Sequence, residues 1–242
     1  MLKTIVYNWF KIKQFIEIKC ILCRGFTTLN QPLCTLCLNS FPVPTCFCST
    51  CGIPINESET GLCPQCIIQP PLFDHCLAPF LYQFPINKVL QMVKYQSRLE
   101  LIKPITQPMA DLLSDFYLED QWPEVVVPVP LHEKRLRKRG YDQALLLAKA
   151  LKKQLPDVIT LESHLLKRVK HSSPQQNLDA KNRQKNIKQA FALQKDLQYR
   201  HIALVDDVVT TGATVSEITK LLKKAGAERV DIWSIARTPE NQ

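Results

Sequence analysis

Residues with the types and spacing for chemistry gather first in LVDDVVTTGAT, residues 204–214. An apolar run leads into two adjacent carboxylates, Asp206 and Asp207, then into a Thr/Gly-rich turn and the start of a helix. Neighbouring carboxylates can accept hydrogen bonds from two vicinal sugar hydroxyls. Backbone amides of Thr210, Thr211, Gly212, Ala213 and Thr214 can surround a phosphate, helped by the hydroxyls and by the positive field of a helix N-terminus. The spacing therefore suits a sugar 5-phosphate. It matches neither a Walker A loop nor the GxGxxG turn of a dinucleotide site. Helix capping alone would account for Thr214, but it leaves two like charges at one strand end uncompensated.

Ten cysteines form the second group, all in the first third of the chain. Eight fall in four CxxC pairs: Cys20/Cys23, Cys34/Cys37, Cys48/Cys51 and Cys63/Cys66. Two intervening residues let both thiolates of a knuckle face one ion, and two knuckles complete a tetrahedral sulfur shell. Taken in order, the pairs predict two such sites, although spacing also permits crossed pairing. Zinc is the expected metal, as two ions with a structural role, because four thiolates leave no open position. Cys46 and Cys76 are left over as plain thiols, with Cys46 an alternative ligand to Cys48. Lys11, Lys13 and Glu17 break up any export-type apolar core near the start. A reducing cytosol is therefore the expected compartment, and clustered thiols there read as metal ligands.

Charge is the third feature. The chain carries a net +9, and residues 131–200 hold 17 Lys/Arg against six Asp/Glu. Lys134, Arg135, Arg137, Lys138 and Arg139 are the densest cluster, and Lys167, Arg168, Lys170, Lys181, Arg183, Lys185 and Lys188 form a second series. Such a field attracts polyphosphates or a nucleic-acid backbone. No motif for reading duplex bases accompanies it, which favours sequence-independent contact with single-stranded DNA. A merely solvated surface is the alternative for the second series.

These groups need elements to hold them. With 45% apolar and 22% charged residues over 242 positions, the chain is a folded protein, not a disordered tail. No run approaches the ~18 apolar residues that a transmembrane helix needs. Ile86, Val89, Leu90 and Val93 predict one face of a helix, Leu101 to Phe116 a second, and Ala144 to Leu151 a third. Val125 to Val129, His201 to Val205 and Val230 to Ile235 predict strands, and a helix from Ala213 to Ala225 is closed by Gly226. Strands alternating with helices imply an α/β domain with a mostly parallel sheet covered on both faces. The organisation expected is an amphipathic helix over residues 1–17, a cysteine-rich metal-binding region over 18–76, and the α/β domain over 77–242.

Residues 204–214 resemble the signature of type I phosphoribosyltransferases, which bind 5-phosphoribosyl-1-pyrophosphate (PRPP). From Cys20 to Arg237 the chain is similar to the competence protein F family. Its four CxxC pairs fit that family, as does VPVPLHEKRLRKRGYDQA (Val127 to Ala144), with Arg139, Gly140, Tyr141, Asp142 and Gln143 at an arginine-glycine-aromatic-Asn-Gln motif. Lys94-Tyr95, Gln175, Leu178, Arg183, Asn186 and Phe191 fit it too. Asp142 departs from the usual Asn, and a carboxylate cannot donate as an amide does.

The resemblance implies a type I phosphoribosyltransferase-like parallel sheet with flanking helices, plus a small N-terminal zinc-ribbon-like region. It assigns Asp206 and Asp207 to the ribose hydroxyls. The rest of the PRPP set would be Val208, Val209, Thr210, Thr211, Gly212, Ala213 and Thr214, with Pro128, Val129 and Arg139 near the pyrophosphate. Lys170 to Lys188 corresponds to a loop that covers substrate in related enzymes. Mg²⁺ is expected to accompany PRPP. Catalysis would displace pyrophosphate from C1 by a nitrogen nucleophile, but no side chain is singled out as catalytic and no acceptor pocket is legible. The implied role is a PRPP-binding protein of natural competence that handles incoming single-stranded DNA. Lys134, Arg135, Arg137, Lys138, Arg183 and Lys185 are its nucleic-acid candidates, and proteins of the DNA-uptake machinery its partners. Through them it would associate with the inner face of the membrane. The alternatives are an active phosphoribosyltransferase with an unidentified nitrogen acceptor, and a zinc-supported protein adaptor.

Overall fold

The computed structural model describes residues 18–28, 31–56, 60–170 and 189–239. The expected N-terminal helix lies outside them, as do Arg183, Lys185 and most of the 170–188 stretch. Two compact units divide at residues 41 and 42. In the smaller, β1 (Ile18–Lys19) and β2 (Phe26–Thr27) pair antiparallel around the first cysteine knuckle, and α1 (Thr35–Asn39) carries Cys37.

The larger unit begins with α2 (Pro64–Ile68), β3 (His75–Leu77), β4 (Phe80–Leu81) and α3 (Ile86–Tyr95). It continues through α4 (Ile102–Phe116), β5 (Val125–Pro128), α5 (Glu133–Arg139), α6 (Gln143–Lys152) and β6 (Thr160–Leu161). It ends with β7 (Leu166–Arg168), β8 (Phe191–Leu193), β9 (His201–Val209), α7 (Ala213–Lys224) and β10 (Arg229–Arg237). The main sheet runs β3-β10-β9-β5-β6, with all neighbours parallel and β4 extending the edge along β10.

Alternation along the strands sorts this sheet into two faces. Val125, Val127, Ile202, Leu204, Val230 and Ile232 share one core with α7, with Phe191 of the antiparallel β7–β8 hairpin, and with Cys48, Cys51, Cys63 and Cys66. The opposite face, with Ala203, Val205 and Trp233, lies toward α4 and α6. There Asp231 is fully buried, and its Oδ2 accepts from Tyr117 Oη at 2.6 Å and lies 2.8 Å from His201 Nε2. Arg229 Nε donates to the same carboxylate at 3.0 Å. The α/β architecture expected from the sequence is therefore present, with helices on both faces.

Three local features differ from the sequence reading. β9 does not stop at Val205 but continues through Asp206 and Asp207 to Val209, because β10 pairs with it as far as Arg237 opposite Val209. The basic run is a helix of its own, α5, with no buried residue, begun by a His132 cap and ended at Gly140. The β7–β8 hairpin was not anticipated, since its strands are three residues each and too short for a periodic signal.

Candidate functional site

The 204–214 segment sits at the C-terminal end of the two longest strands. Asp206 and Asp207 are consecutive strand residues, so their side chains leave β9 on opposite faces. Asp207 Oδ2 takes an ion pair from Lys94 of α3 at 2.7 Å. Burial works against the Lys94 ammonium, but the Asp207 carboxylate outweighs it and holds its pKa above the ordinary value. Asp206 accepts the Asp207 amide at 2.8 Å. Burial and the adjacent Asp207 charge push its carboxyl well above the usual carboxylate range. Lys94 is thus the compensating charge that adjacent carboxylates require, and it comes from a helix more than a hundred residues away in sequence.

Beyond Val209 the backbone turns through Thr210 and Thr211 to Gly212, which caps α7 at a φ of 73°. That left-handed conformation favours glycine. Among the described residues, the amides of Thr210, Thr211 and Gly212 donate to no backbone or side-chain acceptor. The first amides of α7, at Ala213, Thr214 and Val215, lack an i−4 carbonyl partner by helix geometry; among the described residues only that of Ala213 has a local contact, with Thr211 Oγ1 at 3.4 Å. Free donors at a helix N-terminus make a cradle for an anion. Thr210 and Thr211 are exposed, so the cradle opens to solvent.

The segment after β5 is different. Pro128 and Pro130 have no N–H, Val129 donates to Val205 O at 2.9 Å, and Leu131 donates to Asp142 Oδ2 at 3.1 Å. No amide from 128 to 131 is left for a ligand, so anion contacts on this side must come from side chains. Arg139 is half-buried, bonds Gln143 and stands over the Tyr95 ring at 5.8 Å. Tyr141 donates its hydroxyl to Val93 O, tying the start of α6 to α3. Arg168 is half-buried over Phe191, and burial with the nearby Arg135 charge lowers its pKa.

Asp142 caps α6 by accepting Leu145 N at 3.2 Å while also accepting Leu131 N. The two bonds use both carboxylate oxygens, Oδ1 for Leu145 N and Oδ2 for Leu131 N, whereas an Asn has a single acceptor oxygen and an NH2 that can only donate. Burial raises its carboxyl despite the amides it accepts. The departure from Asn therefore leaves the local hydrogen bonding satisfied.

The cysteines assemble in sequence order: Cys20, Cys23, Cys34 and Cys37 in one cluster, Cys48, Cys51, Cys63 and Cys66 in the other, sulfurs within 4.8 Å of one another. Cys23 and Cys34 sulfurs are 3.7 Å apart, and so are those of Cys51 and Cys63. A tetrahedron with Zn–S bonds of ~2.3 Å has edges of about 3.8 Å. The donor set and spacing therefore fit zinc with no open position. Although burial opposes ionisation, amides of Cys23, Cys34 and Leu22 bring Cys20 down to about 6, and those of Cys51, Cys63 and Thr50 bring Cys48 to about 7. Cys76 is buried outside both clusters, and burial pushes its thiol up to about 12. On α5, Lys134, Arg137 and Lys138 are exposed and Arg135 is half-buried.

Sequence reasoning missed two residues at this site. Lys94 enters only through the resemblance, and Arg237, the last residue of β10, not at all. No periodicity or spacing marks either, because their partners are distant in the chain.

A family model for a phosphoribosyl transferase domain matches residues 140–242. The chain is 36% identical to competence protein F of Haemophilus influenzae over 92% of this chain and 98% of that protein. It is 32% identical to the DNA utilization protein YhgH of Escherichia coli strain K12, over 90% of this chain and 96% of that protein. A purine phosphoribosyltransferase structure from Pyrococcus horikoshii aligns with 57% of this chain and 73% of its own, at 20% identity and a TM-score of 0.35. The parallel sheet with flanking helices is the type I phosphoribosyltransferase arrangement.

Proposed function

We propose, for a chain that belongs to the competence protein F family, that it binds PRPP at the end of β9 and handles single-stranded DNA during natural competence. The observation that carries this reading is the cradle of free amides from Thr210 into α7, set beside two carboxylates on the same strand. The amides would take the 5-phosphate. Asp206 and Asp207, on opposite faces of the strand end, would reach the ribose hydroxyls from either side of it, and Lys94 and Arg139 would face the pyrophosphate, since the 128–131 backbone has no free donor. Val208 and Val209 hold the strand that presents these groups, and Pro128 and Val129 shape the opposing wall. Mg²⁺, entering with the ligand, would neutralise charge on the pyrophosphate oxygens.

The exposed Lys134, Arg137 and Lys138 give α5 a basic face for a nucleic-acid backbone. Zinc in both cysteine clusters would be structural. In this reading the protein works in a reducing compartment and meets the inner membrane face through uptake-machinery partners. Among the described residues, no helix is long and apolar enough to cross a membrane.

Calorimetric titration of metal-loaded protein with PRPP and Mg²⁺ tests the reading, repeated on the Asp206→Ala/Asp207→Ala double variant. Saturable binding that disappears in a folded variant with unchanged metal content is expected. A folded wild-type protein that binds no PRPP would overturn it.

A further inference from the structure

Arg237 is the last residue of β10 and is 7% exposed. Its guanidinium reaches two places that the sequence holds far apart. Nε donates to Cys51 O at 2.9 Å, within the second cysteine cluster. The two N–H groups of Nη1 are shared among three carbonyls, Val209 O at 3.1 Å, Thr210 O, and Thr238 O at 3.1 Å. Val209 and Thr210 carry the turn that leads into the amide cradle.

The geometry matters because a trans peptide holds its C=O and N–H on opposite sides. Fixing Thr210 O on the guanidinium turns the Thr211 N–H away from Arg237, and fixing Val209 O does the same for Thr210 N–H. Those two amides are among the free donors of the cradle. A cation bonded to the carbonyls also polarises the same peptide groups, strengthening their N–H toward an anion. The planar fork can serve several carbonyls at once, whereas a lysine ammonium is a single point of charge.

The other end of the arginine is equally fixed. Cys51 is a ligand-type residue of the second cluster. The next residue, Gly52, has a φ of 70°, and a Cβ there would lie 2.4 Å from Cys76 O on β3. The knuckle is therefore seated directly on the sheet edge. Phe73, from the same stretch, is the nearest side chain to Gly212 in the turn, 3.9 Å from where its Cβ would stand.

We propose that Arg237 is the positioning residue of the anion-binding turn, and that the Cys48–Cys51 knuckle is the anchor from which it acts. The second cluster is then part of the ligand site, and its integrity sets affinity for a phosphorylated ligand. This rests on the reading of the 210–214 turn as a phosphate cradle.

The test is an amide-resolved NMR titration of the full, metal-loaded chain with PRPP and Mg²⁺, and separately with inorganic phosphate. The expected result is that the Thr211 amide, the Arg237 Nε–H and the Gly52 amide shift together with one saturation curve, while the Gly25 amide of the first cluster stays put. In parallel, Arg237→Lys should weaken PRPP binding by at least about tenfold with the fold and two metal ions per chain retained. Thr211 shifting while Arg237 and Gly52 do not, or unchanged affinity in folded Arg237→Lys, would overturn the positioning role and leave the phosphate reading standing. No shift at Thr211 with either probe would overturn the phosphate reading itself, and the positioning role with it. If Arg237→Lys fails to fold, the wild-type titration still decides, because it needs no substitution.

Discussion

Replacing Lys94 with methionine removes the charge that lets two adjacent carboxylates share one strand end. Lys94 Nζ lies 2.7 Å from Asp207 Oδ2, with side chains 27% and 13% exposed. Unit charges near contact distance attract by about 4 kcal/mol at an effective dielectric of 20. Breaking a fully buried pair costs roughly 3–5 kcal/mol, so this partly exposed one should cost about 2 kcal/mol at neutral pH. The loss should depend on pH. Asp206 is already held above its ordinary range by burial and by Asp207, and Lys94 opposes that rise. Without the ammonium the Asp206 carboxyl rises further. A carboxyl raised in the folded state favours folding below its unfolded value, and that advantage disappears as pH climbs through the folded value. The loss on Lys94→Met in urea unfolding should therefore be larger near pH 8 than near pH 5. Equal losses at both pH values, or a larger loss in acid, would refute the assignment of Lys94 as compensator of the carboxylate pair.

Other perturbations separate the remaining parts. Asp231→Asn should destabilise the fold by about 3 kcal/mol near neutrality, because the carboxylate serves Tyr117, His201 and Arg229 together. Burial opposes that charge, but the three partners hold the carboxyl below its usual range. Its contribution is thus present above the unfolded value and lost as pH falls through the folded one, so the gap from wild type should narrow as pH falls below the ordinary carboxylate range in denaturant titrations. Cys51→Ser should lose one metal ion and lower the main melting transition by about 5 °C or more, since its cluster shares the core of the larger unit. Cys23→Ser should lose one ion with the main transition kept. Replacing Lys134, Arg137 and Lys138 together with alanine should reduce the salt slope of single-stranded DNA binding by about 2, at ~0.7 per phosphate contact. An unchanged slope would remove α5 from the interface.

Much of this protein is legible in its sequence alone. The four CxxC pairs assemble in the order of their spacing, because a knuckle is a local structure and a two-residue gap is enough to aim both sulfurs. The helices at Ile86–Tyr95, Ile102–Phe116 and Ala213–Lys224 follow their apolar periodicity, and the strand–turn–helix around Asp206 to Thr214 is written in consecutive residues. What the sequence could not decide is everything that depends on a distant partner. β9 runs four residues beyond its apolar stretch only because β10 is there to pair with it. Asp206 and Asp207 differ in character because Lys94 reaches only Asp207. The second cysteine cluster packs on the sheet rather than standing apart, through the close approach of Gly52 to Cys76 and the reach of Arg237 to Cys51. Local periodicity reports which face of an element is buried; which charge or carbonyl waits there is settled only when the chain closes on itself.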